Sequence, residues 1–464
     1  MLNPKAGLLP LYLKLYDEAA PEAMAQFEPF IKTVVDGLVG EGIDIVRGEV
    51  CRVEAQCQAA VDRFEQEGVD LIVTLHLAYS PSLESAQVLS CSDLPILMLD
   101  TTMDHDFGPG VEPDRIMFNH GIHGVQDLAS MLRRKGKAYE IVAGHVTESD
   151  VLERAANVAR AAHAARLLRK TRALRIGASF QGMGDFAVPE SLMRDAFGIH
   201  VDEIGTDVLA EEAAALSDAE VREEMRRDGE RFAVDVPAKV HERSVRVGLG
   251  LRRFLDKGAY TAFSMSFLAF QDAEGPVNAV PFLEASKAMA RGLGYAGEGD
   301  VLTASLVGAL NGAFGRTTFT EIFCPDWKGG ALFLSHMGEI NPLVAAAKPR
   351  LHEKPFPYTP ALNPAVLTCA VAPGPAVLVN LAPGPDDAFD LIIAPVEVLG
   401  DTEVPAMRDV VRAWIRPACP LEEFLEQYSR FGGTHHSALV LGDRIEAITA
   451  FAAFAGIPCR TLEG

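Results

Sequence analysis

The stretch Leu71-Ile72-Val73-Thr74-Leu75, followed by Pro95-Ile96-Leu97-Met98-Leu99, decides how the first third of the chain is built. Each run is apolar, too short for a helix, and lacks the polar alternation of a half-exposed strand. Parallel strands, covered by helices on both faces, have this character. Outward from them, residues 7–13 and 44–46 read as further strands, and residues 24–40 and 53–67 carry helical spacing. Strand and helix in alternation specify a doubly wound parallel sheet.

A long amphipathic helix is expected over residues 148–172, ending in Arg166, Arg169, Lys170 and Arg172, a basic cluster suited to the negative end of a helix dipole. A second α/β unit follows, with strands at 175–180 and 259–265 and helices at 218–231 and 239–257. After about residue 315 Pro and Gly become frequent, and apolar runs such as 376–381 and 391–393 are short. That is the texture of an antiparallel sheet or barrel. The 464 residues match about three domains of roughly 150 residues. The expected architecture is an N-terminal α/β domain (1–170), a central α/β domain (171–315), both Rossmann-like, and a β-rich, barrel-like C-terminal domain (316–464).

Composition narrows the partners. The chain is 48% hydrophobic and 23% charged, with 42 Lys plus Arg against 64 Asp plus Glu, a net charge of −22. Such a polyanion repels phosphate backbones and anionic lipid, which argues against nucleic-acid and membrane roles. Seven scattered cysteines without a C-x-x-C pair read as reduced thiols. The N-terminus lacks an apolar stretch of secretory length, and the later apolar stretches are broken by Pro and Gly. A cytoplasmic protein is expected.

One motif invites a nucleotide. Gly182-Met183-Gly184-Asp185-Phe186-Ala187 satisfies G-x-G-x-x-A after an expected strand, and Asp202 and Glu203 lie about twenty residues on, where a dinucleotide fold places its ribose-binding acid. Pro189 follows at once and pushes any helix start beyond the glycines. The alternative is a glycine-rich loop at a strand's carboxyl end.

Four other segments concentrate chemistry in apolar or glycine settings. They are Gly294-Tyr295-Ala296-Gly297-Glu298-Gly299-Asp300, Thr317-Thr318-Phe319-Thr320-Glu321-Ile322, Leu334-Ser335-His336-Met337-Gly338-Glu339 and Gly432-Gly433-Thr434-His435-His436-Ser437. Glycines on both sides of Glu298 leave its carboxylate unobstructed, and an alternating strand delivers Glu321. Two carboxylates and two imidazoles form a mixed oxygen and nitrogen set suited to Mn²⁺, and also to Co²⁺ or Zn²⁺. Glu339 reads as a solvated or salt-bridged side chain.

In order and approximate spacing, AGEGD, TTFTE, LSHMGEINP and GGTHHS resemble the metal-site motifs of the L-arabinose isomerase family, and the resemblance extends over essentially the whole chain. It implies Glu298, Glu321, His336 and His436 as Mn²⁺ ligands and His435 as a substrate contact. Asn119-His120-Gly121-Ile122-His123-Gly124 resembles the family's Asn-Gln-x-x-His-Gly segment, which reaches the sugar site of a neighbouring subunit, with His120 in place of Gln. Phe263 to Phe267 resembles its Phe-Thr-Thr-x-Phe run, with Phe267 as a pocket wall. Leu11-Tyr12 resembles its Leu-Tyr strand end, although Leu9 and Pro10 replace the usual Gln and His.

The resemblance implies a homotrimer or homohexamer with sites between subunits, acting on a small sugar by aldose–ketose isomerisation. Moving a proton between C1 and C2 through a cis-enediol needs an acid and a base, and Glu298 and Glu321 supply that pair. Phe319 and Phe267 supply an apolar wall. Three rivals stand beside this reading. One is an isomerase or epimerase of the same fold acting on L-fucose, D-arabinose or D-galactose, although the fucose-type set uses Glu, Asp and one His. Another is a non-catalytic sugar-binding homologue, and the third is the nicotinamide dehydrogenase suggested by the glycine motif.

Overall fold

The apolar runs fold as strands buried on both faces. In the computed structural model, which describes residues 3–400 and 405–462, the chain divides into two compact units, Leu2–Arg166 and Leu167–Gly464. The outer ends of the expected domains, residues 1 and 464, lie outside the described residues. The first unit holds β1 (Lys5–Leu11), β2 (Asp44–Arg47), β3 (Leu71–His76), β4 (Ile96–Asp100) and β5 (Tyr139–Ala143). They form one parallel sheet in the order β2-β1-β3-β4-β5. All six residues of β3 are buried. Leu9, Phe64, Ile72, Met98 and Leu128 belong to the core between sheet and helices.

The second unit begins with β6 (Arg172–Ile176), β7 (His200–Ile204), β8 (Ala233–Asp235), β9 (Ala262–Met265) and β10 (Gly294–Gly297). Four of these make a parallel sheet in the order β10-β9-β6-β7. The chain continues through β11 (Thr317–Asp326), β12 (Ala331–Ser335), β13 (Arg350–Glu353), β14 (Ala365–Thr368) and β15 (Gly374–Pro383). It ends with β16 (Phe389–Val398), β17 (Ala413–Pro417), β18 (His436–Leu441) and β19 (Cys459–Thr461). Strands β15-β18-β11-β12-β17-β16 pair antiparallel in sequence, and β16 pairs back with β15. The ring closes into a six-stranded barrel, which removes its open edges. Strands β14, β13 and β8 form a separate small sheet.

The helix Val301–Phe314 joins sheet to barrel. It packs on β9 and β10 on one side and on β11 and β18 on the other. That position explains its composition: apart from a few small polar residues it is Val, Leu, Ala, Gly and a final Phe, buried nearly all round. It places the end of β10 beside the start of β11.

Three local expectations shift. β6 stops at Ile176 instead of Phe180, because Gly177 adopts φ +76 and turns the chain. β9 starts at Ala262, after Ala259 takes φ +51. The helix expected at 148–172 spans Val151–Arg169 and is not amphipathic. Its alanines at 155, 156, 159, 161, 162, 164 and 165 are all buried, so its sides are apolar by smallness. In its basic cluster Arg166 reaches Asp70 and Arg169 the Phe454 carbonyl, so these arginines hold named oxygens across the fold.

The glycine motif also departs from the nucleotide pattern. The next helix is Glu190–Phe197, behind Pro189, so no helix N-terminus meets the glycines. Asp202 is occupied by Arg172 and Tyr260, and Glu203 by Arg175. Among the described residues no helix is long and apolar enough to cross a membrane.

Candidate metal centre

Strand register assembles half of the centre. Glu321 on β11 stands opposite His436 on β18 and opposite Ser335 on β12, the residue before His336. Directly opposed residues of an antiparallel ladder share a face, so Glu321 and His436 meet. A bulge between Ile322 and Cys324 breaks the ladder just after Glu321, as bulges do where a side chain must be aimed.

The loop after β10 supplies the other carboxylate. Glu298 has φ +63, a left-handed conformation costly for a residue with a Cβ. Two hydrogen bonds hold it there. The Glu298 amide donates to the Met265 carbonyl (3.0 Å), and the Phe180 amide donates to the Glu298 carbonyl (2.8 Å). The glycine before it is a packing requirement: a Cβ at Gly297 would lie 2.8 Å from Cε1 of His336.

The side chains converge. Nε2 of His436 lies 3.3 Å from Oε2 of Glu298, Nε2 of His435 lies 3.8 Å from the same oxygen, and Nε2 of His336 lies 3.9 Å from Oε2 of Glu321. Two overlapping sets result, Glu298 with His435 and His436, and Glu321 with His336 and His436. Within each set the ligand atoms lie within 4.8 Å of one another. The Nε2 atoms of His336 and His436 are buried and make no hydrogen bond. A buried nitrogen without a partner is costly unless something fills the space before it. A divalent cation fits this donor set, since carboxylate oxygens and neutral imidazole nitrogens are its usual ligands.

Each imidazole is backed by a carboxylate. His336 Nδ1 lies 2.9 Å from Oε2 of Glu339, whose Oε1 accepts the Tyr295 hydroxyl at 2.6 Å. His436 Nδ1 lies 3.0 Å from Oδ2 of Asp300, whose Oδ1 caps the helix Val301–Phe314 by accepting the Thr303 amide. His435 Nδ1 lies 2.5 Å from Oδ2 of Asp185. A carboxylate on Nδ1 keeps the proton there and leaves Nε2 free to ligate. Of the two alternatives expected from sequence, solvated or salt-bridged, Glu339 takes the second, since it is 0% exposed and pairs with His336. Of these backing groups Asp185, Asp300 and Glu339 stand in the quoted motifs, yet nothing in the sequence pairs them with their histidines.

Aromatic rings close the centre. Phe319 meets His336 at 4.7 Å and His436 at 4.9 Å edge-on, and Phe186 stacks flat on His436 at 5.0 Å and 8°. Phe267 packs against Phe180, Phe356 and Tyr358. Electrostatics separates the two carboxylates. Burial works against ionising Glu298, but the imidazoles of His435 and His436 beside it hold it well below the usual range. Burial pushes Glu321 up, against the pull of His336 and His436. Burial disfavours the His436 cation, yet Asp300 and Glu298 bring it up to about 9.

The remaining expected contacts belong to the first unit. Tyr12 is buried, with its ring against Tyr16 and Phe27 and its hydroxyl unpartnered. His120 Nε2 lies 3.2 Å from the Tyr16 hydroxyl and Nδ1 2.7 Å from the Ile116 carbonyl. His123 is exposed and sits edge-on to His120 and Tyr79.

Comparison with known proteins identifies the family. Residues 181–313 match the L-arabinose isomerase central domain and residues 316–458 the L-arabinose isomerase C-terminal domain. The L-arabinose isomerase of a Nocardioides species is 31% identical over 388 residues, covering 80% of this chain and 76% of the relative. That of Geobacillus kaustophilus is 30% identical, covering 79% and 75%. That of Geobacillus thermodenitrificans is 27% identical, covering 96% and 91%. The chain belongs to the L-arabinose isomerase family, a family of aldose–ketose isomerases.

Proposed function

We propose that this protein is a metal-dependent aldose–ketose isomerase acting on a pentose, hexose or deoxy sugar, with L-arabinose the first substrate to try. The observation that carries the reading is the pair of buried, unpartnered Nε2 atoms of His336 and His436 facing Glu321 and Glu298. Glu298, Glu321, His336 and His436 would hold Mn²⁺ or Co²⁺, and when bound the cation would polarise the sugar carbonyl and stabilise negative charge on its oxygens. Glu298 and Glu321, one as base and the other as acid, exchange the proton between C1 and C2 through a cis-enediol while a second proton passes between O1 and O2. Phe319, Phe186 and Phe267 exclude water from the reacting carbons, and His435 contacts the substrate.

The wider expectations belong to the same proposal. The second unit consists of a central and a C-terminal domain meeting near residue 315, after an N-terminal domain ending near 170. Tyr12 is a substrate contact, and His120 and His123 reach the sugar site of a neighbouring subunit in a cytoplasmic trimer or hexamer. The test is incubation of Mn²⁺- and Co²⁺-loaded protein with a panel of aldopentoses, aldohexoses and deoxy sugars. Ketose is expected from at least one, and only with metal. Ketose from none of them overturns the isomerase reading, and undiminished turnover after chelation overturns the metal dependence.

A further inference from the structure

The glycine motif at residues 182–187 has no nucleotide geometry, yet the segment around it touches three elements of the metal centre. The Phe180 amide holds the carbonyl of the strained Glu298. Gly299, at φ +87, lies so close to Ser179 that a Cβ there would approach its Cα to 2.5 Å. Phe186 lies flat on His436. Most directly, Oδ2 of Asp185 accepts two donors of one residue, the His435 amide at 3.0 Å and Nδ1 at 2.5 Å.

A partly exposed carboxylate–histidine pair contributes little by itself. This one differs in geometry. By binding the main chain and the ring of the same histidine, Asp185 fixes the side-chain torsion as well as the tautomer, and it leaves Nε2 directed at Glu298, 3.8 Å away. Gly182, at φ +101, and Gly184 have no atom within 4 Å of a Cβ position, so they serve the path of the loop and not its packing.

We infer that the loop at 182–187 is a positioning element of the sugar site, in which Asp185 acts through His435 to orient a contact to substrate. The inference rests on the isomerase reading and on His435 facing the sugar. Asp185 itself is a positioning residue and touches no reacting atom. Its loss acts on substrate binding while the metal set of Glu298, Glu321, His336 and His436 stays intact.

The experiment compares Asp185→Ala, Asp185→Asn, His435→Ala and the Asp185→Ala/His435→Ala double variant. Asp185→Ala is expected to raise KM about tenfold, within the range for lost outer partners of a site histidine. Mn²⁺ affinity by calorimetry stays within about twofold. Asp185→Asn restores most of the KM, because its amide oxygen still accepts from both N–H groups. The double variant is no worse than His435→Ala alone, since the two changes break one device. In the metal-free protein, ¹⁵N-resolved imidazole spectra show a fixed Nδ1–H tautomer for His435 that Asp185→Ala releases. Independent, multiplying effects of the two substitutions, or a KM unmoved by Asp185→Ala, overturn the inference. If wild type isomerises no sugar, the isomerase reading fails on its own, and an unchanged His435 tautomer in Asp185→Ala still overturns the clamp.

Discussion

The second unit buries two clusters of charged groups, and they are built on opposite rules. In one, Lys287 lies between Glu224 (2.9 Å) and Asp228 (2.5 Å), His241 meets Asp228 (2.9 Å), and Arg252 spans Glu224 and Glu284. Each acid there faces a base, which is how buried charge is tolerated. In the other, Nδ1 of His336 and of His436 meets a carboxylate, while the buried Nε2 atoms make no hydrogen bond and face Glu321 at 3.9 Å and Glu298 at 3.3 Å. Within the first cluster every acid has a cationic partner inside the chain. The second leaves two buried imidazole nitrogens without a hydrogen bond, the opening that the proposed cation would fill.

The comparison breaks first at Glu321. Glu321→Gln keeps the size of the side chain and removes its proton exchange, so turnover on the best substrate is expected to fall by about a hundredfold to ten-thousandfold. Steady-state kinetics with metal content measured alongside decides it, and full turnover would remove Glu321 from the acid–base pair. In the complete network the same kind of change acts on folding. Lys287→Met leaves Glu224 and Asp228 facing each other without their ammonium, at a cost of about 3–5 kcal/mol in urea unfolding.

Acid sharpens the contrast. Glu224 ionises at about 2 in the folded protein, against an ordinary value of 4.5, because Arg252 and Lys287 outweigh the burial that opposes its charge. A depressed folded value means that the stabilisation is present above pH 4.5 and fades as pH falls toward about 2. Roughly 3 kcal/mol is at stake by linkage. The urea midpoint of wild type should therefore fall between these pH values more steeply than that of Glu224→Gln. The smallest effect is expected behind the metal centre. Asp300→Asn weakens the hold on the His436 tautomer and should lower Mn²⁺ affinity about tenfold to a hundredfold by calorimetry. An unchanged affinity would make Asp300 a helix cap only.

Much of this was readable beforehand. The runs at 71–75 and 96–99 announced a parallel sheet because a strand buried on both faces has no polar alternation to display. Glu298, Glu321, His336 and His436 stood out because charged groups between glycines or among apolar residues have few structural uses. Glu339 did not, because its burial comes from other segments, Tyr295 among them 44 residues away in sequence, even though His336 stands only three residues before it. Asp185 was hidden more deeply, behind a motif shared with nucleotide folds, with its histidine 250 residues on.

The sequence alone determined the class of the fold and the residue types of the proposed ligands, since periodicity and residue type are local properties. Only the tertiary structure decided that two carboxylates and three imidazoles meet, which nitrogens are free, and which carboxylate stands behind each ring. Those facts depend on strand register, on barrel closure and on a left-handed Glu298 held by two distant backbone groups. Except for His336 and Glu339, three residues apart, these contacts lie too far apart along the chain to leave a mark in the spacing of its residues.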